Sequence, residues 1–206
     1  MFGDPVDNPK GLPTSTLKEL TSKLGSGATP KGGNASYKDE GISLIRSMHV
    51  YNGYFDYEDL AHIDEEQARK LDNVTVMSGD ILLNITGASV ARSCVVPDDI
   101  LPARVNQHVC IIRCLQEKIL PVFLNRLLIG DSYQALLWNI AEAAGATRQA
   151  LTKEQIENLK IIIPPVEQQL QYIRFAEQSD KSKFAAQQTL KELNDAQKAL
   201  MKKIFE

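Results

Sequence analysis

His108, Cys110 and Cys114 come nearest to a metal site in this chain, because even steps along a strand would place all three on one face. Two thiolates and an imidazole suit zinc, yet no fourth ligand and no Cys-x-x-Cys pair accompanies them. The pattern therefore predicts small buried thiols and no metal. His49 and His62 have no companions at ligand spacing and read as ordinary polar residues. Catalytic patterns are missing as well. No Gly-x-Ser-x-Gly elbow occurs, and no lysine stands two positions after Asp or Glu, which removes half of a common metal-dependent nuclease site. The loop Gly25 to Gly33 lacks the Gly-Lys-Ser/Thr ending of a nucleotide cradle. The Pro164-Pro165 pair follows Ile163 rather than the Asn or Asp of a methyltransferase active site. These absences predict a protein with no catalytic residue and no cofactor.

The remaining polar groups suit recognition. Arg46, Arg92, Arg104, Asn106, Gln107, Arg148 and Gln149 carry the guanidinium and amide forks that match guanine and adenine edges in a major groove. Thr29 and Lys31, in the Gly-rich loop, suit phosphate contacts, which position a protein without reading bases; a solvent-exposed turn is the plain alternative. The net charge of −3 runs against a DNA binder, whose footprint is usually basic. Six of the acids, however, fall between Asp56 and Glu66 and read as a local solvated face, and a partner subunit can supply phosphate contacts.

These groups need a scaffold, and 206 residues with 43% hydrophobic content can build one core plus an appended element. Apolar runs bounded by turn residues predict strands over Ile42–Val50, Asp80–Thr86, Ser93–Val96, Val105–Leu115 and Lys160–Ile163. Helices are predicted over Glu65–Leu71 behind an Asp64 cap, Pro121–Leu128, Tyr133–Ala144 and a short segment opened by Thr152, whose spacing to Gln155 fits a capping box. The tandem prolines mark a boundary, giving domains 1–165 and 166–206. After them the chain has no Gly and no further Pro, which predicts one helix of roughly 60 Å. Ala186, Leu190, Leu193, Gln197, Leu200 and Ile204 alternate steps of four and three, the seam of a coiled coil. Folding back on its own domain is the alternative, but so long a helix would overhang it. The fold class expected is α+β, a mixed α/β domain followed by a long C-terminal helix that pairs as an antiparallel coiled coil. Three cysteines, an odd and sparse set, point to a reducing cytoplasm. The polar amino terminus and the lack of an apolar run of about 18 residues predict a protein that is neither secreted nor in a membrane.

Several segments together resemble the specificity subunit of type I restriction-modification systems, here in a half-length form with a single target-recognition domain. They are Gly27-Ala28-Thr29-Pro30, Ser78 to Leu83 running into Ile85-Thr86-Gly87-Ala88-Ser89, Val105 to Val109, Gly145 to Leu151, and Ile162 to Gln169. Their order and spacing cover nearly the whole chain. Ala28 and Ala91 stand where glycine is frequent in that family. Thr86 joins the candidate DNA contacts from these segments. A motif shared by recognisers of different sequences holds the scaffold, so Asn106, Gln107 and His108, and likewise Thr147, Arg148 and Gln149, carry a structural alternative.

The resemblance implies a non-enzymatic subunit that binds one half of a bipartite site in double-stranded DNA. It implies docking of methyltransferase subunits and, through them, the restriction subunit, with S-adenosylmethionine and ATP belonging to those partners. A homodimer is expected through Leu190, Leu193, Gln197, Leu200 and Ile204. Two other readings stand beside it: a recognition-domain fragment of a fused methyltransferase-nuclease, and a structural coiled-coil protein with an unrelated head.

Overall fold

A computed structural model describes residues 1–143 and 149–205; the side chains of 34, 199, 200 and 202–205 lie outside the description. The elements run in the order β1 (Thr14–Thr16), β2 (Thr21–Ser26), β3 (Ile42–Ile45), β4 (Val50–Tyr51), β5 (Tyr54–Phe55), β6 (Ala61–Ile63), α1 (Glu65–Arg69), β7 (Thr75–Val76) and β8 (Ile81–Asn84). They continue with β9 (Ser93–Val95), β10 (Ala103–Val105), β11 (Val109–Cys114), α2 (Pro121–Leu128), α3 (Asp131–Ala143), α4 (Lys153–Glu157), β12 (Lys160–Ile162) and α5 (Val166–Phe205). The chain is mixed α and β with a long C-terminal helix, and it divides into two compact units, Met1–Val166 and Glu167–Glu206.

Two four-stranded sheets, ordered β6-β3-β10-β7 and β2-β11-β8-β9, share the main apolar core of the first unit. Leu44, Ile45 and Val105 enter it from one sheet, Leu82, Val109 and Ile111 from the other. Among the described residues only the β3–β10 pair is parallel, and every other strand pair is antiparallel. β1 pairs with β12, Thr14 opposite Ile162, so the unit's first strand lies against its last. The helices bury residues at one-turn spacing, Phe123, Leu124, Leu127 and Leu128 on α2 and Tyr133, Leu137 and Ala141 on α3. The Tyr133 hydroxyl donates to the Lys160 carbonyl at 2.7 Å, which satisfies the one polar atom of a fully buried ring.

Local signals decide several boundaries. Asp64 accepts from the Gln67 N–H at 2.8 Å while the Gln67 side chain accepts from the Asp64 N–H at 3.0 Å, and Thr152 and Gln155 form the same reciprocal box at the start of α4. Two expected strands are interrupted. Over Ile42–Val50 the chain leaves β3 at Arg46 and makes a 3-10 turn, Ser47–His49, because the His49 N–H finds the Arg46 carbonyl and Asn84 Nδ2 captures the Ser47 and Val50 carbonyls. Over Val105–Leu115 the Asn106 carboxamide accepts from the His108 N–H at 2.9 Å, a local bond that competes with the ladder and turns the chain between β10 and β11. His108 therefore leaves the strand, and the shared face expected for His108, Cys110 and Cys114 does not form. The described residues contain no cluster of metal-ligating side chains.

The loop expected from Gly25 begins later, since Gly25 and Ser26 complete β2 opposite Ile111 and Cys110. Gly27 must be glycine: a Cβ there would lie 1.7 Å from the Val105 carbonyl oxygen, and the Gly27 N–H donates to the Asn106 carbonyl at 3.0 Å. His49 is not an ordinary exposed polar residue. Its ring is fully buried, stacked on Phe55, with Nδ1 donating to the Asp56 carbonyl at 3.1 Å. Burial, helped by the neighbouring Arg46 cation, holds its pKa below the usual histidine range.

Burial also fixes the cysteines. It pushes the Cys94 and Cys114 thiols up to about 12 and Cys110 up to about 11. At pH 8 the thiolate fraction is then on the order of one part in a thousand or less, so the folded protein should resist iodoacetamide while the urea-unfolded chain takes up label at all three positions. Mass spectrometry after a short pulse checks this; rapid labelling of the native chain would contradict it. No helix among the described residues is long and apolar enough to cross a membrane.

Candidate nucleic-acid interface

Asn84 organises the polar end of the first unit. Its N–H donates to the Arg92 carbonyl at 2.9 Å, its carbonyl accepts from the Ala91 N–H at 2.9 Å, and its buried amide holds the Ser47–His49 turn. Ala91 bends back with φ +70, unusual for a residue with a side chain, and is fixed there by that bond and by Gln134 Nε2 donating to its carbonyl at 2.9 Å. The same chain brings Gly87 under the segment after 148: the Gly87 N–H donates to the Gln149 carbonyl at 2.9 Å and the Leu151 N–H to the Ile85 carbonyl at 2.8 Å.

The result is a hollow of about 560 Å³ whose polar lining includes Ser47, Thr86, Ser89, Arg92 and Gln149, with Tyr51 and His108 on its wall. Three sequence-derived candidates, Thr86, Arg92 and Gln149, thus meet in one place. Two more reach it through hydrogen bonds. The Thr29 hydroxyl donates to Gln107 Oε1, Gln107 Nε2 donates to His108 Nε2 at 3.0 Å, and His108 Nδ1 then donates to Thr86 Oγ1 at 2.6 Å. The chain leaves the Thr86 hydroxyl proton free to point elsewhere.

The other candidates lie apart. Arg46 sits over the Tyr37 ring at 5.6 Å and donates to the Asp59 carbonyl. Lys31 is exposed on its loop. Asn106 is buried and serves its own turn. Arg104 is withdrawn from the surface: its side chain is 9% exposed, pairs with Asp72 at 2.8 Å, and donates to the Ala68 and Ala103 carbonyls. β10 lies between two neighbours, and that position buries the arginine inside the scaffold. Arg148 lies outside the described residues.

Ser47, Tyr51 and Ser89, not anticipated from the sequence, also line the hollow, and Tyr54 stacks on Tyr51. The Asn52-Gly53 pair between Val50-Tyr51 and Tyr54-Phe55 is a hairpin signal that could have found the tyrosines.

Residues 9–195 match the family described as type I restriction modification DNA specificity domain. The chain belongs to that family. The type I restriction enzyme EcoBI specificity subunit of Escherichia coli is 27% identical over 172 residues, covering 81% of this chain and 35% of the relative. This specificity-domain protein also shares its fold with solved structures. One is from work on complex assembly and conformational transition of the type I R-M system, with TM-score 0.67 and 19% identity over 93% of this chain and 44% of that one. Another is the HsdS subunit from Thermoanaerobacter tengcongensis, with TM-score 0.58 and 16% identity over 84% and 38%. The specificity domain here thus spans less than half the length of each of these relatives.

Proposed function

We propose that this specificity-domain chain recognises one half of a bipartite sequence in double-stranded DNA for a type I restriction-modification complex in the cytoplasm, and catalyses nothing itself. The family match over residues 9–195 carries the reading. Its partners are methyltransferase subunits and, through them, the restriction subunit, and two copies pair through α5. The convergence of Thr86, Arg92 and Gln149 on one hollow supports a contact surface there, with Thr29, Lys31 and Gln107 on the adjoining loops. Arg46 remains a candidate elsewhere and Arg148, outside the described residues, remains one too, whereas Arg104 and Asn106 act through the scaffold.

A chain of net charge −3 has few spare cations for the phosphate backbone, so DNA binding should be weak for the protein alone and tighter and sequence-selective with its methyltransferase. Fluorescence anisotropy at two salt concentrations, with and without that subunit, tests this. Equal affinity in both cases would contradict shared phosphate contacts, and no DNA binding in either would remove the reading.

A further inference from the structure

Arg92 is held in an unusual way. Its guanidinium carbon lies 4.6 Å above the centroid of the Tyr51 ring, and Tyr51 in turn stacks on Tyr54 with centroids 4.9 Å apart and planes 11° from parallel. Arg92 thus rests on the tyrosine pair of the β4–β5 hairpin. No hydrogen bond or ion pair to another described side chain engages the guanidinium. The contact holds the guanidinium over the ring face and leaves its N–H groups free to donate. The backbone beneath is equally fixed, since the Arg92 carbonyl and the Ala91 N–H are both tied to Asn84.

The surroundings favour an anion. The chain carries 26 acidic residues, yet none of the described ones lines the hollow beside Arg92; Ser47, Thr86 and Ser89 offer hydroxyl donors there instead. The Thr86 hydroxyl already accepts from His108, so its proton is available to a ligand. A planar base edge needs donors and acceptors alternating in one plane, whereas hydroxyls around a concave wall with one cation suit a tetrahedral oxyanion.

The geometry points to a binding site for one phosphodiester of the DNA backbone, with Arg92 as the charged ligand, Thr86 and Ser89 as hydroxyl donors, and Tyr51 and Tyr54 as positioning residues. This rests on the DNA-recognition reading above. It makes the hollow an anchor that sets register on the duplex and places the choice of bases elsewhere.

The test uses the full chain with its methyltransferase and compares Arg92→Gln, Arg92→Lys, Thr86→Val and Tyr51→Leu, each checked for an unchanged circular dichroism spectrum and melting temperature. Binding to a mixed-sequence duplex and to the target duplex is titrated against salt. Arg92→Gln should weaken both on the order of tenfold and make the plot of log affinity against log salt shallower by roughly 0.9. The ratio between target and mixed sequence should stay unchanged. Arg92→Lys keeps the slope, Thr86→Val weakens binding without altering it, and Tyr51→Leu, which removes the stacking ring, weakens binding while the slope is kept. An unchanged slope in Arg92→Gln overturns the proposal, and so does a fall in the target-to-mixed ratio, which would make Arg92 a base reader. Inorganic phosphate separates the remaining source: if it raises the melting temperature of the parent but not of Arg92→Gln, while DNA affinity is the same in both, the site serves free phosphate and the proposal fails. If the parent complex binds no DNA, the functional reading itself has failed, an outcome distinct from all of these.

Discussion

Replacing Asp80 by alanine should cost about 3–5 kcal/mol, the largest single-residue loss of stability expected in the first unit. Asp80 is fully buried at the head of β8, and Arg113 of β11 grips it with two bonds, Nε to Oδ1 at 2.8 Å and an η nitrogen to Oδ2 at 2.7 Å. The carboxylate also accepts from the Met77 N–H at 2.8 Å and so closes the turn that ends β7. Hydrogen bonding to Asp80 raises the Arg113 pKa further above its already high value, so the cation persists at every working pH. Alanine would remove three acceptor contacts and leave Arg113, 24% exposed, without its counter-ion between two strands. Against a typical total of about 5–15 kcal/mol, that loss should lower the urea midpoint by at least about a fifth. A charge-free double variant, Asp80→Leu with Arg113→Met, should recover part of it, because much of the single-variant penalty is the stranded cation. If Asp80→Ala shifts stability by less than about 1 kcal/mol, the pair is not the clamp described here.

This pair also explains which parts of the molecule could be read from sequence. Asp80 sits in the segment Ser78-Gly79-Asp80 that carries the family resemblance, and its function is wholly internal. Arg104 and Asn106 make the same point from the other side: both are residue types that read bases, and both hold backbone instead. Side-chain type cannot separate these roles, because burial depends on sheet order. The order β6-β3-β10-β7 joins strands about sixty residues apart in sequence, and no local pattern encodes it. What local chemistry controls was legible. Pro121 at the first helical position fixed the start of α2, the Asp64 and Thr152 caps fixed α1 and α4, and the tandem prolines fixed the start of α5. Very short strands such as β4, β5 and β7 fell below the length at which alternation can be recognised, and with them went Tyr51 and Tyr54. The hollow was therefore half visible, its Thr86, Arg92 and Gln149 named but their meeting unforeseen.

The other large effect concerns spacing. Deleting one seven-residue repeat from α5, Ala186 to Glu192, should abolish recognition of the original DNA site while both recognition domains stay folded. α5 runs unbroken for 40 residues, and Leu190 and Leu193 are 60% and 63% exposed on it, with Phe175 and Phe184 exposed nearby. Apolar side chains repeated at this spacing on one helix call for a partner helix. Gln197 is exposed on the same seam, while the side chains of Leu200 and Ile204 lie outside the described residues. A two-fold antiparallel pair, as proposed above, sets two identical domains at a fixed separation, and its symmetry makes the target a gapped palindrome. Removing seven residues keeps the seam in phase but shortens each helix by about 10 Å, equivalent to roughly three base pairs of duplex axis. The same three pairs turn the duplex by roughly 100°, so the second domain would meet the wrong face of its half-site. Selection of bound sequences from a random pool should then return a shorter gap or no selected site, with the half-site sequence itself preserved. Sedimentation of the parent at micromolar concentration should show a dimer. A monomer there, or an unchanged gap after the deletion, would falsify the helical spacer.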